Sequence, residues 1–265
     1  MKQSLMKIEV FEYTSFCSDR FLGNPAGVCM DEGLSREEKQ NIACKNGFSE
    51  TAFLLEEDSY FKISFFTPTS EIDLCGHATV ASAAHLSNKM GIKKLTFKAK
   101  HDVLYCDVDN ESVSLILPDQ NIKKKEPNVV IKEILGPSCI DYYESKIHFI
   151  GVLDSFDNLM KWDNDFFSHD NLSKDQLLLT STSENNNYDY ALRMFGTKNL
   201  GVREDPVTGS AQPPIFSYWS KILKKEDVLV YQSSERGGLM RVKRDLRGID
   251  VNGRVKLVKH FNQEI

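Results

Sequence analysis

Apolar positions along the chain form short runs, interrupted by two longer apolar stretches at matching places in the two halves. Met6 to Tyr13 alternates between apolar and polar, which predicts a strand; Thr51 to Leu55 and Phe61 to Thr67, compact and rich in β-branched and aromatic residues, predict two more. Leu34 to Gly47 has helical spacing, with Ser35 placed to cap it and Glu38 three positions on to complete a capping box. Gly23-Asn-Pro-Ala-Gly27 has turn chemistry, a proline held between glycines. Gly76 to Asn88 carries Ala78, Val80, Ala81, Ala83, Ala84 and Leu86, small apolar side chains pointing in almost every direction. A helix that is hydrophobic all round sits inside something. Strands at Leu95–Phe97, Val103–Val108 and Val113–Leu117 follow it.

The second half repeats this order. Gly209-Ser-Ala211 opens another apolar stretch through Ile215, Phe216, Tyr218, Trp219 and Ile222, and strand-like Val228–Tyr231 stands as far beyond Gly209 as Leu95 does beyond Gly76. Leu104–Val108 finds its echo in Leu239–Lys243, and Val113–Leu117 in Val255–Val258. The two glycines are 133 positions apart in a chain of 265 residues, close to half its length. This pattern implies an internal duplication, each unit being strands wrapped round a buried helix. The polar segment Asn121–Asn128, with Lys123, Lys124, Lys125 and Pro127, reads as the linker. Domains of 1–120 and 121–265 follow, with the last strand able to return to the first. The Glu184–Asn187 tract reads as a surface loop, and the segment from Trp162 to Asp175 as loops that would line or cover a cleft.

Composition narrows the function. Lys plus Arg (33) against Asp plus Glu (38) leaves a net charge of −5, a poor match for nucleic-acid phosphates or anionic lipid. The linker lysines have no interleaved aromatic residues, so no nucleic-acid partner is expected. No apolar run approaches the ~20 residues a bilayer demands. The charges at Lys7 and Glu9 fall where a signal peptide needs its apolar region, so a cytoplasmic location is expected, with no membrane partner. The cysteines, at positions 17, 29, 44, 75, 106 and 139, stand singly and read as small buried apolar residues. No His-x-x-x-His or Cys-x-x-Cys pair is present, so no metal is expected; without a G-x-G-x-x-G or a P-loop, nucleotide cofactors have no support either.

Two helix beginnings could carry chemistry, Asp73-Leu-Cys-Gly-His-Ala-Thr79 and Glu204-Asp-Pro-Val-Thr-Gly-Ser-Ala211. The first amides of a helix lack internal partners and carry its positive dipole end, a seat for a carboxylate or phosphate. Ordinary capping by Thr208 or Ser210 is the alternative. Glu50 stands at the mouth of an apolar strand between Phe48 and Phe53, where desolvation favours its protonated form and suits a general acid/base. His77 could hold a substrate group or relay a proton, or simply be packed.

The blocks Phe21-Leu-Gly-Asn-Pro-Ala-Gly-Val28, Ser49-Glu-Thr-Ala-Phe53, Phe66-Thr-Pro-Thr-Ser-Glu-Ile-Asp-Leu-Cys-Gly-His-Ala-Thr79 and Arg203-Glu-Asp-Pro-Val-Thr-Gly-Ser-Ala211 resemble the signatures of the PhzF-like phenazine-biosynthesis family. The resemblance implies an α+β fold of the diaminopimelate-epimerase-like kind: two pseudo-symmetric domains, each a strand barrel around a central buried helix, with the site in the cleft between them. It implies cofactor-free proton transfer on a small carboxylate substrate, with Glu50 as general acid/base and His77 and Asp205 placing substrate and protons. Gly76, Gly209 and Ser210 would offer their amides to the carboxylate, Asn24 would border the pocket, and a homodimer is admitted. Two features depart from the pattern. Gln212 is followed by Pro213 and Pro214, which remove two amides and are tolerable only in a first helical turn. Cys75 stands at the first position of the cysteine pair used by epimerases of this fold, but at the second position this chain offers Asp205-Pro206 and no cysteine, which disfavours a two-thiol racemase. Two alternatives stay open: a racemase or epimerase using Cys75, and a non-catalytic small-molecule-binding relative.

Overall fold

A computed structural model describes residues 7–184 and 187–264. Met6, Asn185 and Asn186, which belong to the expected first strand and the expected loop at 184–187, lie outside the described residues. The contacts divide the chain into two units, one running to Ile116 and resuming at Asn252, the other Leu117–Val251. Residues from 252 on therefore group with the first unit, not with 121–251.

The first unit contains β1 (Lys7–Cys17), β2 (Asn24–Met30), α1 (Arg36–Asn46), β3 (Glu50–Glu56), β4 (Phe61–Phe66), β5 (Glu71–Ile72), α2 (Gly76–Met90), β6 (Lys94–Lys98), β7 (Val103–Asp109) and β8 (Ser112–Leu117). β1 lies antiparallel to β2, β2 parallel to β3, β3 antiparallel to β4, β4 parallel to β6, and β6 antiparallel to β7. Parallel neighbours need a crossover, and α1 and α2 supply the two. Twelve of the fifteen residues of α2 are buried, as an all-round apolar helix requires. Its buried hydroxyls turn back onto their own helix: Thr79 donates to the Cys75 carbonyl at 2.6 Å and Ser82 to that of Ala78 at 2.7 Å. The capping box at Ser35 and Glu38 forms, and Gly47 ends α1 in the left-handed conformation. Outside the sheet, Ile42 and Ala43 of α1 pack with Val10, Cys29, Phe53 and Phe66.

The second unit contains β9 (Lys123–Lys124), α3 (Val129–Leu135), β10 (Cys139–Glu144), β11 (His148–Leu153), α4 (Phe156–Lys161), a 3-10 turn (Phe166–Ser168), β12 (Gln176–Thr182), β13 (Tyr190–Gly196), β14 (Glu204–Asp205), a 3-10 turn (Gly209–Ala211), α5 (Gln212–Leu223), β15 (Asp227–Gln232) and β16 (Gly238–Asp245). The final strand, β17 (Gly248–Glu264), begins here and ends in the first unit, antiparallel to β1 from Lys7↔Glu264 inwards. The connectivity of the first unit recurs: β10 antiparallel to β11, β11 parallel to β12, β12 antiparallel to β13, β13 parallel to β15, β15 antiparallel to β16. β5 and β14 each pair with the end of the long strand before them. The chain is thus α+β with one design used twice, strands around a buried helix. α5 is held inside its unit by Trp219, which stacks on Tyr190 at 5.6 Å and donates to the Thr180 hydroxyl at 2.8 Å.

Several expectations change. The turn at 23–27 is confined to Gly23, whose φ of +69° and close approach to the Ser15 carbonyl exclude a side chain. Asn24 already starts β2, and Pro25 is tolerated because pairing with β3 begins only at Ala26. The helix expected from Gly209 starts as a 3-10 turn and becomes α-helical at Gln212, which puts Pro213 and Pro214 in the first turn, where missing amides cost little. Lys123 and Lys124 form a short strand against β10 instead of a plain linker. Four cysteines are buried and Cys139 partly so, but Cys44 is exposed on α1. Among the described residues no helix is long and apolar enough to cross a membrane.

Candidate active site

Three pieces of the first unit deliver the side chains. Asn24 opens β2, Ser49 and Glu50 enter β3 directly after the Gly47 turn, and Cys75 and His77 begin α2. Because β2 and β3 are parallel with Ala26 opposite Glu50, their starting ends lie side by side. The start of α2 comes to the same place. Asn24 Nδ2 is 3.1 Å from His77 Nδ1, Ser49 Oγ is 3.2 Å from His77 Nε2, and Ser49 Oγ also reaches the Pro25 carbonyl at 3.0 Å. Ser15 fixes the backbone from below by donating to the His77 carbonyl at 2.8 Å.

Glu50 Oε2 lies 3.0 Å from His77 Nε2, with both side chains about nine-tenths buried or more. This is a charge contact and not a well-aimed hydrogen bond: Oε2 is buried without a hydrogen-bond partner. Cys75 Sγ is 3.5 Å from His77 Nδ1 and 3.8 Å from Nε2. Burial alone would push the Glu50 carboxyl up, but the neighbouring imidazolium, with polar contacts from Ser49 and Cys75, outweighs it and lowers the pKa. This reverses the expectation drawn from Phe48 and Phe53, because their desolvation is overruled by a cation the linear sequence does not place there. Burial likewise opposes the charged form of His77, yet its acidic neighbours Cys75 and Glu50 hold it well above its ordinary value. The Cys75 thiol is pushed up to about 11 by burial and by the Glu50 charge, so at neutral pH it is a thiol and the compensating anion is Glu50.

Glu50, Cys75 and His77 also present one donor atom each within 4.8 Å of one another. The expectation of no metal rested on linear spacing; the fold brings the three together from two elements, and they could hold an ion. Gly76 is buried at the start of α2, whose cap residue Cys75 makes no side-chain capping bond.

Asp205, Gly209 and Ser210 lie in the second unit, at the end of β14 and in the 3-10 turn that precedes α5. Thr208 does not cap by its side chain; its hydroxyl donates to Asp205 Oδ2. Gln232, fully buried and not singled out from sequence, ties the segment together. Its Oε1 accepts from the Thr208 amide at 2.8 Å, and its Nε2 donates to the Asp205 carbonyl at 2.8 Å and to Thr208 Oγ1 at 3.1 Å. Tyr190 adds a hydrogen bond to Gln212 Oε1 at 3.0 Å. A lone glutamine ending a strand carries no motif by which it could have been found. Ser49 was legible inside the Ser49-Glu50-Thr51 block, but its role was not.

The matched registers identify counterparts. Phe66 pairs with Glu71 and Phe195 with Glu204, so Cys75 corresponds to Thr208 and His77 to Ser210. The opening pairs Ala26↔Glu50 and His148↔Gln176 make Gln176 the counterpart of Glu50. Among the described residues, the carboxyl, thiol and imidazole therefore occur together in one unit only.

The sequence profile of the PhzC-PhzF family, described as phenazine biosynthesis-like protein, matches residues 13–259. An uncharacterized isomerase of Halalkalibacterium halodurans is 32% identical over 246 residues, spanning 90% of this chain and 92% of that one. A crystal structure of a PhzF-family phenazine biosynthesis protein from Enterococcus faecalis has a TM-score of 0.90 at 29% identity, covering 98% of this chain and 100% of that chain. A hydroxyproline epimerase from Agrobacterium vitis shares the fold alone, at a TM-score of 0.66 and 9% identity over 100% of this chain and 94% of its own. Agreement over nearly the whole length makes this chain a member of the phenazine biosynthesis-like PhzC-PhzF family and an enzyme of the isomerase class.

Proposed function

We propose that the enzyme is a cofactor-independent isomerase that moves a proton between carbons of a small carboxylate substrate, with Glu50 as the group that takes the proton and returns it. The observation that carries this reading is the buried Glu50 carboxylate, with Oε2 lacking a hydrogen-bond partner and His77 3.0 Å away. With its pKa lowered, Glu50 rests as a carboxylate and acts first as a base. Once it has accepted a proton from carbon, the neutral acid is buried and returning the proton restores the charge pair, which favours turnover over storage. His77 stabilises the anionic resting state and, with the amide of Gly76, offers positive potential to charge developing on the substrate. Asn24 and Ser49 hold the imidazole in place. For Asp205 the family resemblance implies a part in placing substrate and protons, and for Gly209 and Ser210 amides offered to the substrate carboxylate.

A racemase working through Cys75 is less well supported, since the thiol is pushed up to about 11 and its counterpart in the other unit is Thr208. The test is hydrogen exchange in heavy water, followed by proton NMR on a panel of small unsaturated carboxylates. Wild-type enzyme is expected to replace a carbon-bound hydrogen with deuterium in at least one of them. Glu50→Gln should slow that exchange by about 10²–10⁴-fold. Undiminished exchange in Glu50→Gln removes this residue from the mechanism.

A further inference from the structure

We propose that Glu50, Cys75 and His77 form a binding site for one thiophilic divalent cation of the zinc type. The donor set is mixed carboxylate, thiolate and imidazole, a combination suited to zinc and cobalt and poorly suited to magnesium or calcium. Its atoms are already near the required spacing. Bonds of about 2.0 Å to nitrogen and oxygen and about 2.3 Å to sulfur set ligand separations of roughly 3.3–3.6 Å in a tetrahedral ion. The structure has 3.0 Å between His77 Nε2 and Glu50 Oε2, and 3.8 Å between Nε2 and Cys75 Sγ, on either side of that range. All three donor atoms lie within 4.8 Å of one another.

Two further observations point to an ion and not merely to a polar cluster. Oε2 is a buried acceptor with no hydrogen-bond partner, on a side chain only 11% exposed. A carboxylate, a thiolate and a neutral imidazole together carry two negative charges, so a divalent cation leaves a buried site without net charge. Binding through Nε2 also requires that Nδ1–H find an acceptor. Asn24 stands 3.1 Å from Nδ1 and supplies one when its amide turns over, presenting Oδ1 in place of Nδ2. The cation displaces two protons to solvent, one from the Cys75 thiol and one from Nε2 of the imidazolium, and keeps a fourth position for water or a ligand carboxylate. As a corollary that rests on the proposed function, bound metal and proton transfer exclude each other, because both use Glu50.

The full chain, stripped with a chelator and kept reduced, is titrated with Co²⁺ and followed by absorption. One equivalent should bind with a near-ultraviolet sulfur-to-cobalt band and strong tetrahedral visible bands, and Zn²⁺ should displace it. Cys75→Ser should lose the sulfur band, and Glu50→Gln should weaken Zn²⁺ competition by more than the roughly 10–100-fold typical of outer partners. Glu50→Gln keeps the thiol and serves as the independent measure should Cys75→Ser fold poorly by circular dichroism. Absence of the sulfur band in wild type, or its persistence in folded Cys75→Ser through another thiol such as exposed Cys44, overturns the site. These readouts need no turnover, so they fail or succeed separately from the isomerase reading. Metal that binds as described without blocking exchange would support the site and count against Glu50 as the proton carrier.

Discussion

Replacing His77 by glutamine removes the cation from beside a buried carboxylate while nearly preserving volume. At 3.0 Å, two unit charges in an effective dielectric constant of about 20 attract by roughly 5 kcal/mol. Breaking one side of a buried pair costs about 3–5 kcal/mol, since the remaining charge stays desolvated. The effect has a defined pH window. The Glu50 carboxyl is held below its ordinary 4.5, so its share of the stability is present above that pH and is lost as pH falls through the lowered pKa. The imidazole is held well above 6.5, so its share is complete below 6.5 and is lost as pH rises through the raised pKa. Urea unfolding of metal-free protein at about pH 5.5 should therefore show His77→Gln less stable by about 3–5 kcal/mol, with the gap narrowing at alkaline pH. The double variant with Glu50→Gln should recover most of that loss. A gap under about 1 kcal/mol at pH 5.5, or additive single and double variants, would refute the charge pair.

In the second unit, Gln232→Met should lower stability by about 2–3 kcal/mol, because it strips three hydrogen bonds and leaves the Thr208 amide buried without its acceptor; urea unfolding reads it, and a change within about 0.5 kcal/mol contradicts it. Alkylation with iodoacetamide at neutral pH should label exposed Cys44 well ahead of Cys75, whose thiol is buried and pushed up to about 11. Peptide mass spectrometry shows the order, and early loss of Cys75 would revive the thiol-based racemase.

Features set by local composition were legible in the sequence. The capping box at Ser35 and the all-round apolar character of α2 depend on residues within a few turns of one another, and both appear as expected. The strands of the second unit at Cys139–Glu144, His148–Leu153, Gln176–Thr182 and Tyr190–Gly196 were not assigned from sequence. β11 in particular is buried along its whole length and does not alternate, so it lacks the period that marks a half-exposed strand. The candidate site was legible as a set of names, Glu50, His77, Cys75 and Asn24, but its electrostatics were not. The direction of the Glu50 shift depends on an imidazole delivered by a different element, and the convergence of three donor atoms on the start of α2 meeting the start of β3. Neither can be read from spacing along the chain.

The path of β17 bears on how a ribosome delivers this protein. Leu117–Val251 is contiguous, so that unit can condense while translation is still under way. The other unit is started earlier but must wait for β17 to emerge, because the β1 edge that starts at Lys7 is closed by Glu264 and its neighbours. Its formation is a long-range event with a high closure cost, and until then β1 exposes a templating edge. The later-made half is thus free to mature first, and the half bearing Glu50 and His77 is completed only once β17 has been made.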